Sequence, residues 1–79
     1  MYLERPRVLV IDDEPSICKA LRRALEEDGF EVATACTRDE AEALFRTEWF
    51  DMAVIDLRLK DGRGDDVFYH AIGCQPHLE

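Results

Sequence analysis

The sequence lacks several features that would assign it to common classes of protein. No apolar run approaches the roughly 20 residues that a transmembrane helix needs, and the N-terminal residues MYLERP have no signal-peptide shape. Basic residues are in the minority, with 10 Lys and Arg against 18 Asp and Glu, for a net charge of −8. This balance argues against binding to nucleic acid or to an anionic membrane, and it suits a cation or a basic partner surface. We therefore expect a cytoplasmic protein without membrane contact.

Cysteine and histidine are also sparse. The three cysteines, Cys18, Cys36 and Cys74, form no Cys-x-x-Cys pair, and we expect small buried or half-buried residues in a reducing compartment rather than a disulfide or a metal site. His70 and His77 are interpreted as surface or tail residues, since neither lies at ligand spacing from the other or from a cysteine.

The hydrophobic pattern of the 79 residues predicts a single α/β domain with the order β-α-β-α-β-α. The expected strands cover 7–11, 30–35 and 51–55, and the expected helices cover 15–28, 38–47 and 65–72. Strands that alternate with helices pair in parallel through right-handed crossovers.

Particular residues mark the predicted helices. The first helix begins at Pro15 and carries one apolar face, made of Ile17, Ala20, Leu21, Ala24 and Leu25. Gly29 suits the left-handed position past its end. Thr37 and Glu40 form a capping box for the second helix, and Gly73 is expected to follow the third. Trp49 and Phe50 are expected to pack where the third strand begins.

Three aspartates follow two of the predicted strands. Asp12 and Asp13 come directly after the apolar run 8–11, and Asp56 comes directly after the run 52–55. Because the carboxyl ends of neighbouring parallel strands form the ligand crevice of such a sheet, we expect these carboxylates to converge. A cluster of this kind repels itself unless a cation lies within it, and Mg²⁺ prefers oxygen ligands. The alternative is that Asp13 or Glu14 only caps the following helix.

These segments, VLVIDDEPSI at 8–17 and VIDLRLKDG at 54–62, resemble the receiver domain of two-component response regulators. The resemblance implies a flavodoxin-like fold with parallel sheet order 2-1-3. It implies that Asp56 is a phosphoacceptor for a sensor histidine kinase, and that the chain is a signalling module rather than an enzyme. It also implies that Asp12, Asp13, Asp56 and the backbone carbonyl of Arg58 bind Mg²⁺.

The resemblance covers three of the five βα units of a complete receiver, so we interpret residues 1–79 as a single partial domain. The Ser or Thr and the Lys that follow the fourth and fifth strands in the family are not among these residues, and Lys60 stands where a proline is usual. The third strand would then be an apolar edge, which predicts a homodimer or an exchange of strands or helices between two copies.

Two other functions stay open. The first is an interaction or dimerisation module that does not respond to phosphorylation, because a switch needs interactions that differ between its two states. Within this first alternative, the chain is also compatible with a fragment of a longer DNA-binding response regulator. The second, ranked lower, is a small phosphoester hydrolase that uses Asp56.

Overall fold

A computed structural model of the chain describes residues 5–56, 70 and 73–79. Its elements are β1 (Arg7–Ile11), α1 (Pro15–Glu27), β2 (Glu31–Ala35), α2 (Arg38–Thr47) and β3 (Met52–Ile55). Of the expected third helix at 65–72, all but His70 lies outside the described residues. His70, Gly73 and Cys74 are helical, so the expectation that this helix ends before Gly73 is wrong. No helix in the described part of the chain is long and apolar enough to cross a bilayer.

The three strands form one parallel sheet in the order β2-β1-β3, as the resemblance implies. In the central strand, Val8, Leu9, Val10 and Ile11 are all buried. Helices cover both faces of a parallel sheet, so a continuous apolar run at its centre is the pattern that burial on both faces requires.

Alternate residues of β1 belong to two separate cores. Leu9 and Ile11 pack with Ala41 and Phe45 of α2 and with Phe50, whose ring meets that of Phe45 edge-on at 5.9 Å between centroids. On the opposite face, buried Val8 and Val10 cluster with residues of α1 and β2, namely Cys18, Leu21, Leu25 and Val32. This division follows from the period of two in a strand, which sends successive side chains to opposite faces.

The two aromatic residues before β3 differ in burial. Phe50 is buried as expected, whereas Trp49 is 59% exposed. The expectation that Trp49 packs where the third strand begins is therefore wrong.

The apolar face of α1 differs from the predicted one. Cys18 is buried and Leu21 and Leu25 are half-buried, whereas Ile17 is 44% exposed. Ala20 and Ala24 are exposed as well. Residues 18, 21 and 25 lie on one stripe of the helix, and residues 17, 20 and 24 lie on the adjacent stripe. The two leucines bury more apolar area than the two alanines would, and this difference favours the observed orientation.

The ends of the elements follow local chemistry. Thr37 Oγ1 accepts a hydrogen bond from the Glu40 N–H at 3.1 Å, which confirms Thr37 as the N-cap of α2. Glu40 reaches back as predicted, but its Oε1 accepts the N–H of Cys36, the residue before the N-cap, at 2.7 Å. Gly29 has φ of +93°, as expected past the end of α1. Strands β2 and β3 each begin one residue later than predicted, at Glu31 and Met52.

We expect the Thr37→Ala substitution to destabilise the chain by about 1 kcal/mol, because the Glu40 N–H in the first turn of α2 loses the side-chain oxygen that accepts it. The matched control is Thr47→Ala on the same helix. The Thr47 hydroxyl donates to the Ala43 carbonyl at 2.9 Å from an exposed position, and its loss should be nearly neutral. Urea unfolding monitored by circular dichroism compares the two variants, and equal losses of stability would contradict the assignment.

Candidate functional site

Backbone pairing holds the carboxyl ends of β1 and β3 side by side. Ile11 lies opposite Ile55 in the parallel register. The Asp56 N–H donates to the Ile11 carbonyl at 2.9 Å, and the Asp12 N–H donates to the Ala35 carbonyl at 3.1 Å. The backbone is therefore still paired across the sheet at the residues that carry the carboxylates, which limits where their side chains can lie.

The three aspartates converge, as the strand pattern predicts. Asp12, Asp13 and Asp56 each offer a carboxylate oxygen, and these oxygens lie within 4.8 Å of one another. All three residues are half-buried. Like charges at this separation repel, and the repulsion is stronger where water is partly excluded. The cluster therefore favours a bound cation, and its all-oxygen donors fit Mg²⁺ or Ca²⁺ better than a metal that prefers nitrogen or sulfur.

Asp12 and Asp13 are not the N-cap of the following helix. The N-cap of α1 is Glu14, and its side chain makes no capping hydrogen bond. Asp12 Oδ1 instead accepts the Glu14 N–H at 3.0 Å, across two residues of the loop. This bond orients the Asp12 carboxylate, and it leaves the second oxygen available to the cluster. Of the two residues in the alternative, Glu14 therefore occupies the N-cap position, although its side chain makes no capping hydrogen bond, and Asp13 does not occupy it.

The thiol of Cys18 holds the backbone of this loop by a hydrogen bond, a role that the cysteine pattern of the sequence did not predict. Its Sγ donates to the Asp12 carbonyl at 3.2 Å and lies 3.9 Å from the Ala35 carbonyl. Burial, together with the nearby Cys36, raises the pKa of the Cys18 thiol from 9.0 to about 11. Since the folded state binds this proton more tightly than the unfolded state does, the associated stability is present below pH 9 and is lost as the pH rises towards 11.

The other cysteines and His70 only partly follow the sequence expectations. Cys36 is half-buried, as expected, but Cys74 is exposed. Cys74 Sγ lies 3.5 Å from His70 Nε2, so the interpretation that no histidine lies near a cysteine is wrong for this pair. The four-residue separation of His70 and Cys74 could have predicted this contact, because side chains at positions i and i+4 lie on the same face of a helix. Both residues are remote in sequence from the aspartates. Arg58, whose backbone carbonyl was expected to bind the metal, and Lys60 lie outside the described residues.

Comparison with known proteins identifies the family. Residues 8–72 match the response regulator receiver domain. The chain belongs to this family. Receiver domains interact with histidine kinases in two-component signalling, and in the usual sense they are non-catalytic signalling modules. Among sequence relatives, the alginate biosynthesis transcriptional regulatory protein AlgB of Pseudomonas aeruginosa is 44% identical over 61 residues, which are 77% of this chain and 14% of AlgB.

Solved receiver structures have the same fold. A CheY-like receiver from Methanospirillum hungatei superposes with a TM-score of 0.94 at 30% identity, over 96% of this chain and 61% of that one. A Burkholderia pseudomallei response regulator, crystallised with a phosphorylated aspartic acid, a calcium ion and citrate, gives 0.90 at 32% identity, over 94% and 44%. Thermotoga maritima TrrA, in complex with Mg²⁺-BeF, gives 0.88 at 30% identity, over 94% and 64%. The chain thus spans less than two thirds of each of these proteins.

We expect the Asp13→Asn substitution to stabilise the receiver by on the order of 1 kcal/mol in chelator and low salt, because it removes like-charge repulsion from the cluster. The gain should shrink as salt is added. Urea unfolding with and without salt measures both effects. The matched control is Glu27→Gln, an exposed acid at the end of α1, which should change stability by only a few tenths of a kcal/mol. Loss of stability in the Asp13 variant would contradict the interpretation that repulsion between the three carboxylates destabilises the fold.

Proposed function

We propose that the chain is the phosphoacceptor receiver of a two-component phosphorelay, in which Asp56 takes a phosphoryl group from the phosphohistidine of a sensor histidine kinase. The observation that carries the proposal is the convergence of Asp12, Asp13 and Asp56 within 4.8 Å at one edge of the sheet. The Burkholderia regulator, crystallised with a phosphorylated aspartic acid and a calcium ion, supports the same combination of acceptor and cation.

In the proposed transfer, Asp56 is the group that forms the new covalent bond, and the rest of the site mainly positions the reacting atoms. An Asp56 carboxylate oxygen attacks the phosphorus, a new O–P bond forms, and the P–N bond to the kinase imidazole breaks, so that the imidazole keeps the electron pair. The hydrogen bond from the Asp56 N–H to the Ile11 carbonyl holds the backbone of the nucleophile against β1. The product places a phosphoryl group beside two further carboxylates, which increases the need for a cation.

Mg²⁺ is the proposed cation, held by Asp12, Asp13, Asp56 and the backbone carbonyl of Arg58. When bound, it would neutralise charge on the phosphoryl oxygens. The three described ligands supply oxygen atoms from two different strand ends, and Asp12 is oriented by the Glu14 N–H. The Mg²⁺-BeF complex of TrrA supports this choice of metal. The contribution of the protein is to place these oxygen atoms around the position that the metal would occupy.

The second candidate function is an interaction module that dimerises through β3 without responding to phosphorylation. The motive is that Val54 in this apolar strand is 40% exposed. Edge pairing or an exchange of elements between copies would cover it. A cytoplasmic location without nucleic-acid or membrane contact is proposed from the net charge of −8 and stays a prediction.

Phosphorylation is tested with acetyl phosphate and Mg²⁺, followed by intact mass and peptide mapping. We expect the mass of one added phosphoryl group on the chain, and none on the Asp56→Asn variant, because an amide does not act as the nucleophile. Asp51→Asn is the matched control at the opposite end of β3, and it should be modified like the parent. An adduct that persists in Asp56→Asn, or its absence from the parent chain, would rule out Asp56 as acceptor.

Metal binding is tested separately by titrating Mg²⁺ into isotopically labelled protein. We expect amide NMR shifts confined to residues near Asp12, Asp13 and Asp56, together with added stability that grows with the Mg²⁺ concentration. Asp13→Asn should weaken the response and Glu27→Gln should leave it intact. Shifts spread evenly over the acidic surface would show nonspecific screening instead of a site.

A further inference from the structure

Two cysteines lie side by side next to the loop that carries Asp12. Cys18 is near the start of α1, and Cys36 is the residue directly after β2. Both belong to the core between α1 and the sheet, where Cys18 is buried and Cys36 packs half-buried against the cluster. Their spacing along the chain does not predict this arrangement, because it depends on how α1 packs against β2.

The sulfur of Cys18 faces both the backbone and the side chain of Cys36. It lies 3.9 Å from the Ala35 carbonyl oxygen, which belongs to the peptide bond between Ala35 and Cys36. The Cys36 thiol interacts directly with the Cys18 thiol, so the two sulfur atoms are neighbours. The backbone of Cys36 is held in turn, because its N–H donates to Glu40 Oε1 at 2.7 Å. The fold thus keeps two free thiols in contact.

The surroundings of this pair favour oxidation over metal binding. Structural Zn²⁺ takes four ligands, so two thiolates need further cysteines or histidines beside them. Among the described residues, the aspartate cluster is the only set of three or more potential metal ligands whose donor atoms converge, and it contains neither cysteine. A disulfide needs the two sulfur atoms alone, and disulfides in reducing compartments are mostly transient and redox-sensing.

A bond between the two cysteines would act on both backbone groups of Asp12. The Asp12 carbonyl accepts the Cys18 thiol at 3.2 Å, and a sulfur in a disulfide has no hydrogen to donate. The Asp12 N–H donates at 3.1 Å to the Ala35 carbonyl, in the peptide group next to Cys36. Oxidation would therefore remove one of the two contacts and pull on the segment that makes the other.

We propose that Cys18 and Cys36 are a redox pair that closes to a disulfide in the presence of a peroxide, and that this bond weakens cation binding by the aspartate cluster. The first part stands on the contact between the two thiols and is independent of phosphorylation. The second part rests on the proposed metal site, because Asp12 is one of its ligands and loses the thiol that holds its carbonyl.

The oxidation is balanced with hydrogen peroxide as the oxidant. The sulfur of Cys36, the more exposed of the two, attacks one peroxide oxygen, the O–O bond breaks, and a sulfenic acid forms with release of water. The Cys18 sulfur then attacks the Cys36 sulfur, the S–O bond breaks, and the departing oxygen takes the proton of the Cys18 thiol and leaves as a second water. Two thiols and one peroxide thus give one disulfide and two waters.

The first test treats the folded, metal-free chain with equimolar hydrogen peroxide, alkylates the remaining thiols and maps the peptides without reduction. Cys18, Cys36 and Cys74 fall in three different tryptic peptides, 8–19, 24–38 and 64–79. We expect a monomer that has lost two hydrogen atoms, with peptide 8–19 linked to 24–38 and with Cys74 alkylated. Cys74 is the internal control, because it is exposed and more accessible to the oxidant. In urea the preference for this link should disappear.

The second test titrates Mg²⁺ into the reduced and oxidised forms of the Cys74→Ser chain, which cannot form links through Cys74. We expect oxidation to weaken Mg²⁺ binding by about tenfold, as the loss of a group that orients a metal ligand does. The matched variant is Cys18→Ser in the same background, whose hydroxyl can still donate to the Asp12 carbonyl. Its Mg²⁺ affinity should equal that of the reduced form, before and after peroxide.

Three results would overturn the proposal: no link between peptides 8–19 and 24–38, equal Mg²⁺ affinity in the two forms, or loss of the far-UV circular dichroism on oxidation. The last would show that the folded chain does not accept the bond. A reduced form that binds no Mg²⁺ would overturn the proposed metal site and the coupling to it, whereas the linked peptides would still establish the redox pair.

Discussion

The parallel pairing of β1 with β3 is the constraint on which the site depends. Ile11 lies opposite Ile55, and the ladder continues one step further through the bond from the Asp56 N–H to the Ile11 carbonyl. A slip of one residue along either strand would turn its side chains to the opposite face and separate the carboxylates. The apolar side chains of β1, buried on both faces, oppose such a slip, so the two cores that stabilise the sheet also fix the geometry of the acidic cluster.

The acidic cluster works against the stability of the fold that positions it. Three carboxylates within 4.8 Å repel one another, and their partial burial strengthens the repulsion. The loop that carries Asp12 is held by short local bonds, from the Glu14 N–H to its side chain and from the Cys18 thiol to its carbonyl. Such bonds offset a local electrostatic cost, and a cation bound to the cluster would remove the repulsion and so stabilise the fold.

The outer edge of β3 is contacted by residues near the end of the described part of the chain. Solved receivers cover more sequence than this chain, which spans 61% of the Methanospirillum hungatei protein. Here residues 75–79 occupy part of the edge, with Gln75 and Glu79 as the anchoring points. Val54 of the same strand is 40% exposed. Homodimerisation through β3 stays a prediction.

The sequence by itself determined the order of the elements, the pairing of strands in parallel and the meeting of Asp12, Asp13 and Asp56, because apolar runs, caps and strand-end positions are local signals with a direct spatial meaning. Only the tertiary structure decided which stripe of α1 faces the sheet, since neighbouring stripes differ by a small rotation that periodicity does not resolve. It alone decided the burial of Gln75, whose partners are backbone groups 25 to 30 residues away in the chain. Nearly every residue carries the same backbone N–H and C=O groups, so the sequence pattern does not predict which of them a distant side chain will bind.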